Sequence, residues 1–146
     1  MFNLDDCLAF ITARSAKIFV AALDRRFRAY SITRMQWIAM FYIYTNKCIT
    51  QRELADKMAV REPTVVRLTR ELELEGLVFR LGSDKDKRIR RLFLTEKGER
   101  IYQDVLPAVE KFKNDTIAGI SSEDLQTLND ALDKMVQNAQ IDVSVM

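Results

Sequence analysis

Histidine is absent from this chain of 146 residues, which holds only two cysteines, two prolines and four glycines. Each scarcity removes a class of chemistry. Cys7 and Cys48 stand far apart with no C-x-x-C spacing, and without histidine a structural zinc site has no ligand set. With so few glycines there is no phosphate-binding glycine loop, and no nucleophile elbow occurs. The acids are scattered over helix faces, where solvated carboxylates are the default, so catalytic residues, cofactors and metals are all expected to be absent. No apolar run approaches the about 20 residues needed to cross a bilayer, which argues against a membrane partner. No signal-peptide pattern precedes the first helix, so the expected compartment is a reducing cytoplasm. The overall charge is only +2, too small to imply nucleic acid by itself.

What is present is organised around residues 49–95. Thr50 is followed three residues later by Glu53, the capping-box spacing that satisfies the free amides at a helix start. Leu54, Ala55 and Met58 then share one helical face. Ala59 and Val60 form a tight joint, and a second helix starts near Glu62 and Pro63, where proline is tolerated in the first turn. Val65, Leu68 and Leu72 bury that helix, leaving Thr64, Val66, Arg67 and Arg70 largely outward. Two short helices around a tight turn, the second exposing basic and hydroxyl groups near its start, have the arrangement of a helix-turn-helix reader of the DNA major groove. At Ala59 such turns often place glycine. Either alanine takes the left-handed conformation at about 1 kcal/mol, or the turn is built differently.

Gly76 has the place of a C-cap glycine. Beyond it Leu77, Phe79 and Leu81 alternate with Val78 and Arg80, and Leu92 and Leu94 alternate with Arg91 and Phe93, as two strands of a hairpin. The loop between them, GSDKDKRI, is charged. From Arg80 to Arg91 six basic residues face two acids, a local net of +4. A basic hairpin directly after such a helix is a wing that can reach phosphates and the minor groove. Without that context Thr64, Arg67 and Arg70 are the solvated face that any surface helix has. The candidate DNA-contacting set is therefore Arg61, Glu62, Pro63, Thr64, Val66, Arg67 and Arg70 on the helix, with Lys85, Asp86, Lys87, Arg88 and Arg90 on the wing. Arg67 suits bidentate contact with a guanine.

This stretch resembles the winged-helix transcriptional regulators of the MarR family. The resemblance is carried by Glu53-Leu54-Ala55, by Thr64 and Arg67, by Leu72-Glu73 with Gly76-Leu77-Val78, by Asp86-x-Arg88, and by Leu94-Thr95-x-x-Gly98. The family's wing reads D-x-R-D-x-R; here Ser83 and Lys85 replace the first pair, while Asp86 and Arg88 match. The resemblance implies that Arg88 enters the minor groove at the wing tip and that Asp86 helps to orient it. It extends over nearly the whole chain, because the flanking helices share the family's order and lengths.

Those flanking helices are read as residues 3–28, then a helix capped by Thr33 and running to about residue 44, then a long helix after Thr95 to about residue 117. Pro107 is expected to kink that long helix or leave a local break. Gly119 separates it from a last helix capped by Ser121 or Ser122. Cys48 and Ile49 could add a short strand to the wing's sheet. The predicted fold is mainly α: a winged helix-turn-helix lobe with a small β-hairpin wing, plus terminal helices forming a dimerisation lobe. As one 146-residue domain it divides into dimerisation helices (1–30 and 96–146), a linking helix (33–46) and the winged helix-turn-helix (48–95). The terminal helices carry more apolar surface than a lone winged domain can cover. That surface serves either an enlarged monomeric core or a two-fold homodimer, and the resemblance implies the dimer. Such a dimer places two recognition helices about 34 Å apart and calls for an inverted-repeat operator.

The resemblance also implies, for a repressor, release of DNA by a small effector, often a phenolic or aromatic acid. The candidate residues here are Phe10, Arg14, Trp37 and Phe41. Phe10 and Arg14 are four residues apart on one side of the first helix, and Arg14 lies 22 residues before Gln36, the spacing of a carboxylate-binding residue in some aromatic-acid sensors of the family. The plainer alternative makes Arg14 an ordinary ion-pair partner and Trp37 core. Two other functions stand beside this reading. One is a winged helix used only for protein interaction, which has no need of so basic a wing. The other is redox sensing through Cys7, but that branch's pattern puts Ala9 at the sensing position, and Asp5 and Asp6 beside Cys7 oppose a reactive thiolate.

Overall fold

The computed structural model describes residues 1–82 and 89–145. Its elements are a short 3-10 turn (Leu4–Asp6), α1 (Leu8–Phe27), α2 (Arg34–Thr45), β1 (Ile49–Thr50), α3 (Gln51–Met58), α4 (Glu62–Leu74), β2 (Val78–Gly82), β3 (Arg90–Leu94), α5 (Glu96–Ile117) and α6 (Ser122–Val145). This is a mainly helical chain with a small antiparallel sheet of order β1-β3-β2. It divides into two compact units, Ala22–Glu110 and Met1–Ala21 with Lys111–Met146.

In the unit Ala22–Glu110 the core gathers around α2. Thr33 and Gln36 form a full capping box at its start, with the Gln36 amide N–H donating to the Thr33 hydroxyl at 3.1 Å and the Thr33 N–H to the Gln36 side chain at 3.0 Å. The helix then buries Trp37, Ala39, Met40 and Ile43, as a helix apolar nearly all round must. Leu54, Val65, Leu72, Leu77, Leu92 and Val105 come to this core from α3, α4, the sheet and α5. The sheet is in register with Val78 opposite Leu94, Phe79 opposite Phe93 and Arg80 opposite Leu92. Val78 and Leu92 therefore point into the core, while Phe79 and Phe93 stack at 5.4 Å on the other face. The short strand expected at residues 48–49 is β1, at Ile49–Thr50, paired with β3.

One motif explains how α5 reaches the core. The Thr95 hydroxyl donates to the Gly76 carbonyl at 2.6 Å and accepts the Gly98 N–H at 3.0 Å, so the residue that starts α5 is tied to the end of α4. A Cβ on Gly98 would lie 2.1 Å from the Leu77 carbonyl oxygen, so only glycine lets the first turn of α5 sit there. Helix α5 is continuous through Pro107, so the expected local break does not occur. The proline costs one backbone hydrogen bond, and Val105, Leu106 and Val109 around it pack on the core.

In the other unit the first helix starts later than its apolar stripe suggests. Asn3 accepts the Asp5 N–H and donates to the Asp6 carboxylate, closing residues 4–6 into a turn of their own. Helix α1 starts after Cys7, whose carbonyl accepts the Ile11 N–H at 2.9 Å. Ser121 caps α6 by accepting the Asp124 N–H at 3.1 Å. Among residues 1–21 and 111–141 no residue is buried, although Leu8, Ile18, Phe19, Leu128, Val136 and Ile141 are all large and apolar.

Candidate nucleic-acid interface

The helix pair α3–α4 is built from local signals upward. Thr50 and Glu53 form the capping box that starts α3. Ala55, only 3% exposed, lets the two helices approach where they cross. Ala59 adopts φ 54°, ψ 42°, so alanine does take the left-handed position of the turn. The Val60 N–H then returns to the Ala55 carbonyl at 3.1 Å. Helix α4 follows with Pro63 in its first turn and no side-chain cap at Arg61. It ends in a Schellman closure: Gly76 at φ +70° donates to the Glu73 carbonyl, and Leu77 donates to that of Leu72.

Val65, Leu68, Thr69 and Leu72 turn inward on α4. Arg61, Glu62, Pro63, Val66, Arg67 and Arg70 are exposed and Thr64 is half-buried, so the helix presents the expected residues to solvent. Arg67 meets Glu71 one turn on at 2.9 Å. Both side chains are well exposed, and such a pair holds the guanidinium only weakly. A groove of about 670 Å³ runs beside this helix, lined by Thr50 of β1, Gln51, Arg52, Glu53 and Asp56 of α3, Glu62 of α4, and Arg80, Arg90 and Arg91 of the sheet.

The wing's charge is put to different uses. Arg80 places its Nε 2.5 Å from Glu73, with both side chains partly buried, so it braces the end of α4. Arg91 donates to the Cys48 carbonyl at 2.6 Å. Arg90 is exposed beside the groove. Lys85, Asp86, Lys87 and Arg88 lie outside the described residues. Sequence reasoning passes over Arg52, which lines the same groove as Arg90. A signal for it exists, since the second residue of a helix started by Thr50 and Glu53 must project away from Leu54 and Ala55.

The four effector candidates part company. Trp37 is 6% exposed, its indole N–H donates to the Tyr102 carbonyl at 3.3 Å, and its ring stacks on Tyr102 and Phe41 at 5.4 and 5.9 Å. Trp37 is thus a core residue, and Phe41 packs half-buried against it. Tyr102 belongs to the same stack, and burial, reinforced by Tyr44 and Glu110 nearby, pushes its phenol above the usual tyrosine range. Phe10 and Arg14 are both exposed on α1, one turn apart. Among the described residues there is no cluster of histidine, cysteine, aspartate and glutamate able to hold a metal, and no helix long and apolar enough to cross a membrane.

A helix-turn-helix with an exposed basic second helix and a hairpin behind it defines a winged helix-turn-helix DNA-binding protein. Comparison with known proteins narrows the class. The MarR family model matches residues 30–89. Over 133 residues the chain is 30% identical to an uncharacterized HTH-type transcriptional regulator of Bacillus subtilis (strain 168), YybA, covering 88% of this chain and 89% of that one. The chain belongs to the MarR family of transcriptional regulators, which are DNA-binding proteins and not enzymes. Its fold is shared with S. aureus MepR, solved in complex with DNA, at TM-score 0.83 and 21% identity over 90% of this chain and 98% of that one. It is shared too with Bordetella bronchiseptica BpsR, whose DNA binding is regulated by 6-hydroxynicotinic acid, at TM-score 0.85 and 16% identity over 93% and 97%.

Proposed function

We propose that this regulator is a repressor that binds an inverted-repeat operator as a homodimer. The observation that carries the reading is the split of α4 into a buried ridge of Val65, Leu68 and Leu72 and an outward row of Thr64, Arg67 and Arg70. That row lies in the major groove, with Arg61, Glu62, Pro63 and Val66 beside it. Arg52 and Arg90 hold phosphates from the flanking groove, and Lys85, Asp86, Lys87 and Arg88 serve the minor groove at the wing tip. The unburied apolar residues of Met1–Ala21 and Lys111–Met146 support the homodimer, since solvent is a poor partner for them. A two-fold axis then sets the two copies of α4 about 34 Å apart.

Fluorescence anisotropy tests this with a labelled duplex from just upstream of the gene, across a salt series. The expected result is tighter binding to that duplex than to a scrambled one, with log K falling steeply against log salt. Absence of binding to either duplex at low salt refutes the reading in favour of a protein-interaction module.

Release by a small aromatic acid is part of the same proposal, supported by the ligand of BpsR. Trp37 is buried in the core and Phe41 is half-buried against it, so the exposed residues proposed to meet the ligand are Phe10 and Arg14. Calorimetry with benzoates and cinnamates is expected to show binding that Arg14→Ala weakens. No heat from any of them discards the effector.

A further inference from the structure

Only two polar side chains are buried among the described residues, Gln36 and Thr69, and each takes part in a hydrogen bond that ties α4 to another helix. Gln36 of α2 donates through Nε2 to Glu75 at the end of α4 at 3.3 Å. Gln51, the first residue of α3, donates through Nε2 to the Thr69 hydroxyl at 2.8 Å. The second bond is the tighter, and it sits mid-helix. Thr69 is 0% exposed, and its hydroxyl donates in turn to the Val65 carbonyl at 2.9 Å. Its proton is directed down the helix, leaving its lone pairs to meet Gln51.

The apolar ridge of α4 decides which face turns inward, but packing of this kind tolerates small rotations. A rotation of about 10° moves a point at the roughly 6 Å outer radius of a helix by about 1 Å. That exceeds the spread of a good hydrogen bond to a base edge. The Gln51–Thr69 bond is directional, and its donor is anchored by the capping box beside it at Thr50. We propose that this bond sets the rotation of α4, making Thr69 and Gln51 positioning residues for DNA sequence discrimination. The inference rests on α4 reading DNA, as proposed above.

The test uses the full-length protein and a duplex that the wild type selects from a random-sequence pool, compared by anisotropy with a scrambled duplex. Thr69→Val is isosteric and keeps the β-branched shape, so the melting temperature stays near that of the wild type. Its preference for the selected duplex is expected to fall about tenfold, the scale of one lost base contact. Binding to the scrambled duplex and the salt slope stay unchanged. Thr69→Ser, which keeps the hydroxyl, restores the preference. Gln51→Met repeats the loss from the half-buried end, which keeps the test available if Thr69→Val does not fold. The double variant is no worse than either single one, because both remove the same bond. Unchanged preference in Thr69→Val or Gln51→Met overturns the proposal, as does equal weakening on both duplexes or a serine variant that behaves like valine. A wild type that selects no duplex at all refutes the DNA reading and this inference with it.

Discussion

Ala59 holds φ 54°, ψ 42°, where an L side chain costs about 1–2 kcal/mol and glycine costs none. Glycine also loses more chain entropy on folding, roughly 0.5–1 kcal/mol. Strain wins by a narrow margin, so Ala59→Gly is expected to raise stability by about 0.5–1 kcal/mol. Urea unfolding reads this as a higher midpoint at unchanged slope. Gly98→Ala works the other way, because its methyl would meet the Leu77 carbonyl oxygen at 2.1 Å. Backbone must yield there, at a cost of about 3 kcal/mol, and a lowered thermal midpoint measures it. The two glycine-related positions differ in how legible they are. The demand at residue 59 follows from the tight joint between two helices and is readable along the chain. The demand at Gly98 comes from Leu77, just before β2 and twenty-one residues earlier, so the Leu94-Thr95-x-x-Gly98 motif marks the glycine without containing the reason for it. Thr33 and Thr50 can be read as caps because their partners stand only three residues on.

At the scale of elements, the wing shows where counting charge stops being informative. Arg80 and Arg90 look alike in sequence and both line the groove, yet the Arg80 guanidinium is partly buried against Glu73 whereas Arg90 is exposed. Arg90→Gln is therefore expected to lower the salt slope of DNA binding by about one, whereas Arg80→Gln lowers the melting temperature and leaves the slope alone. The same salt series measured on both variants decides it. The strands themselves are readable from alternation. Which face each takes is not, because both faces carry apolar residues and only the pairing of Phe79 with Phe93 settles the register. The packing of α5 on α2 has a pH signature. Tyr102 has its phenol pKa raised above the ordinary value of 10.0 by burial first. The folded state thus favours the protonated phenol, and this contribution is complete below pH 10 and is lost as pH rises through the folded value. Unfolding in alkali is expected to start above about pH 10, and Tyr102→Phe shifts its midpoint upward in a circular-dichroism titration.

For the whole molecule, the apolar residues that α1 and α6 leave unburied matter most. The 17.0 kDa chain is expected to sediment as a dimer. Leu128→Asp with Val136→Asp places charges among those residues, and sedimentation is expected to show the monomer with helicity retained. The same variant loses the affinity that comes from engaging two half-sites at once. Periodicity along the chain is enough to expose this surplus of apolar surface. It does not separate Trp37 from Arg14 as ligand groups, since an aromatic residue on a helix face reads the same whether its ring is stacked in the core or open to a ligand.

That stacking has a practical side. Trp37 is the chain's one tryptophan, enclosed by Phe27, Phe41 and Tyr102. Its emission is a natural gauge of the interior of Ala22–Glu110 and of nothing else. A surface variant on α4 or the wing that leaves the spectrum blue-shifted has kept its interior, whatever has happened to its grip on DNA. A red shift marks an interior that has let in water, and in such a variant a loss of binding carries no information about contacts.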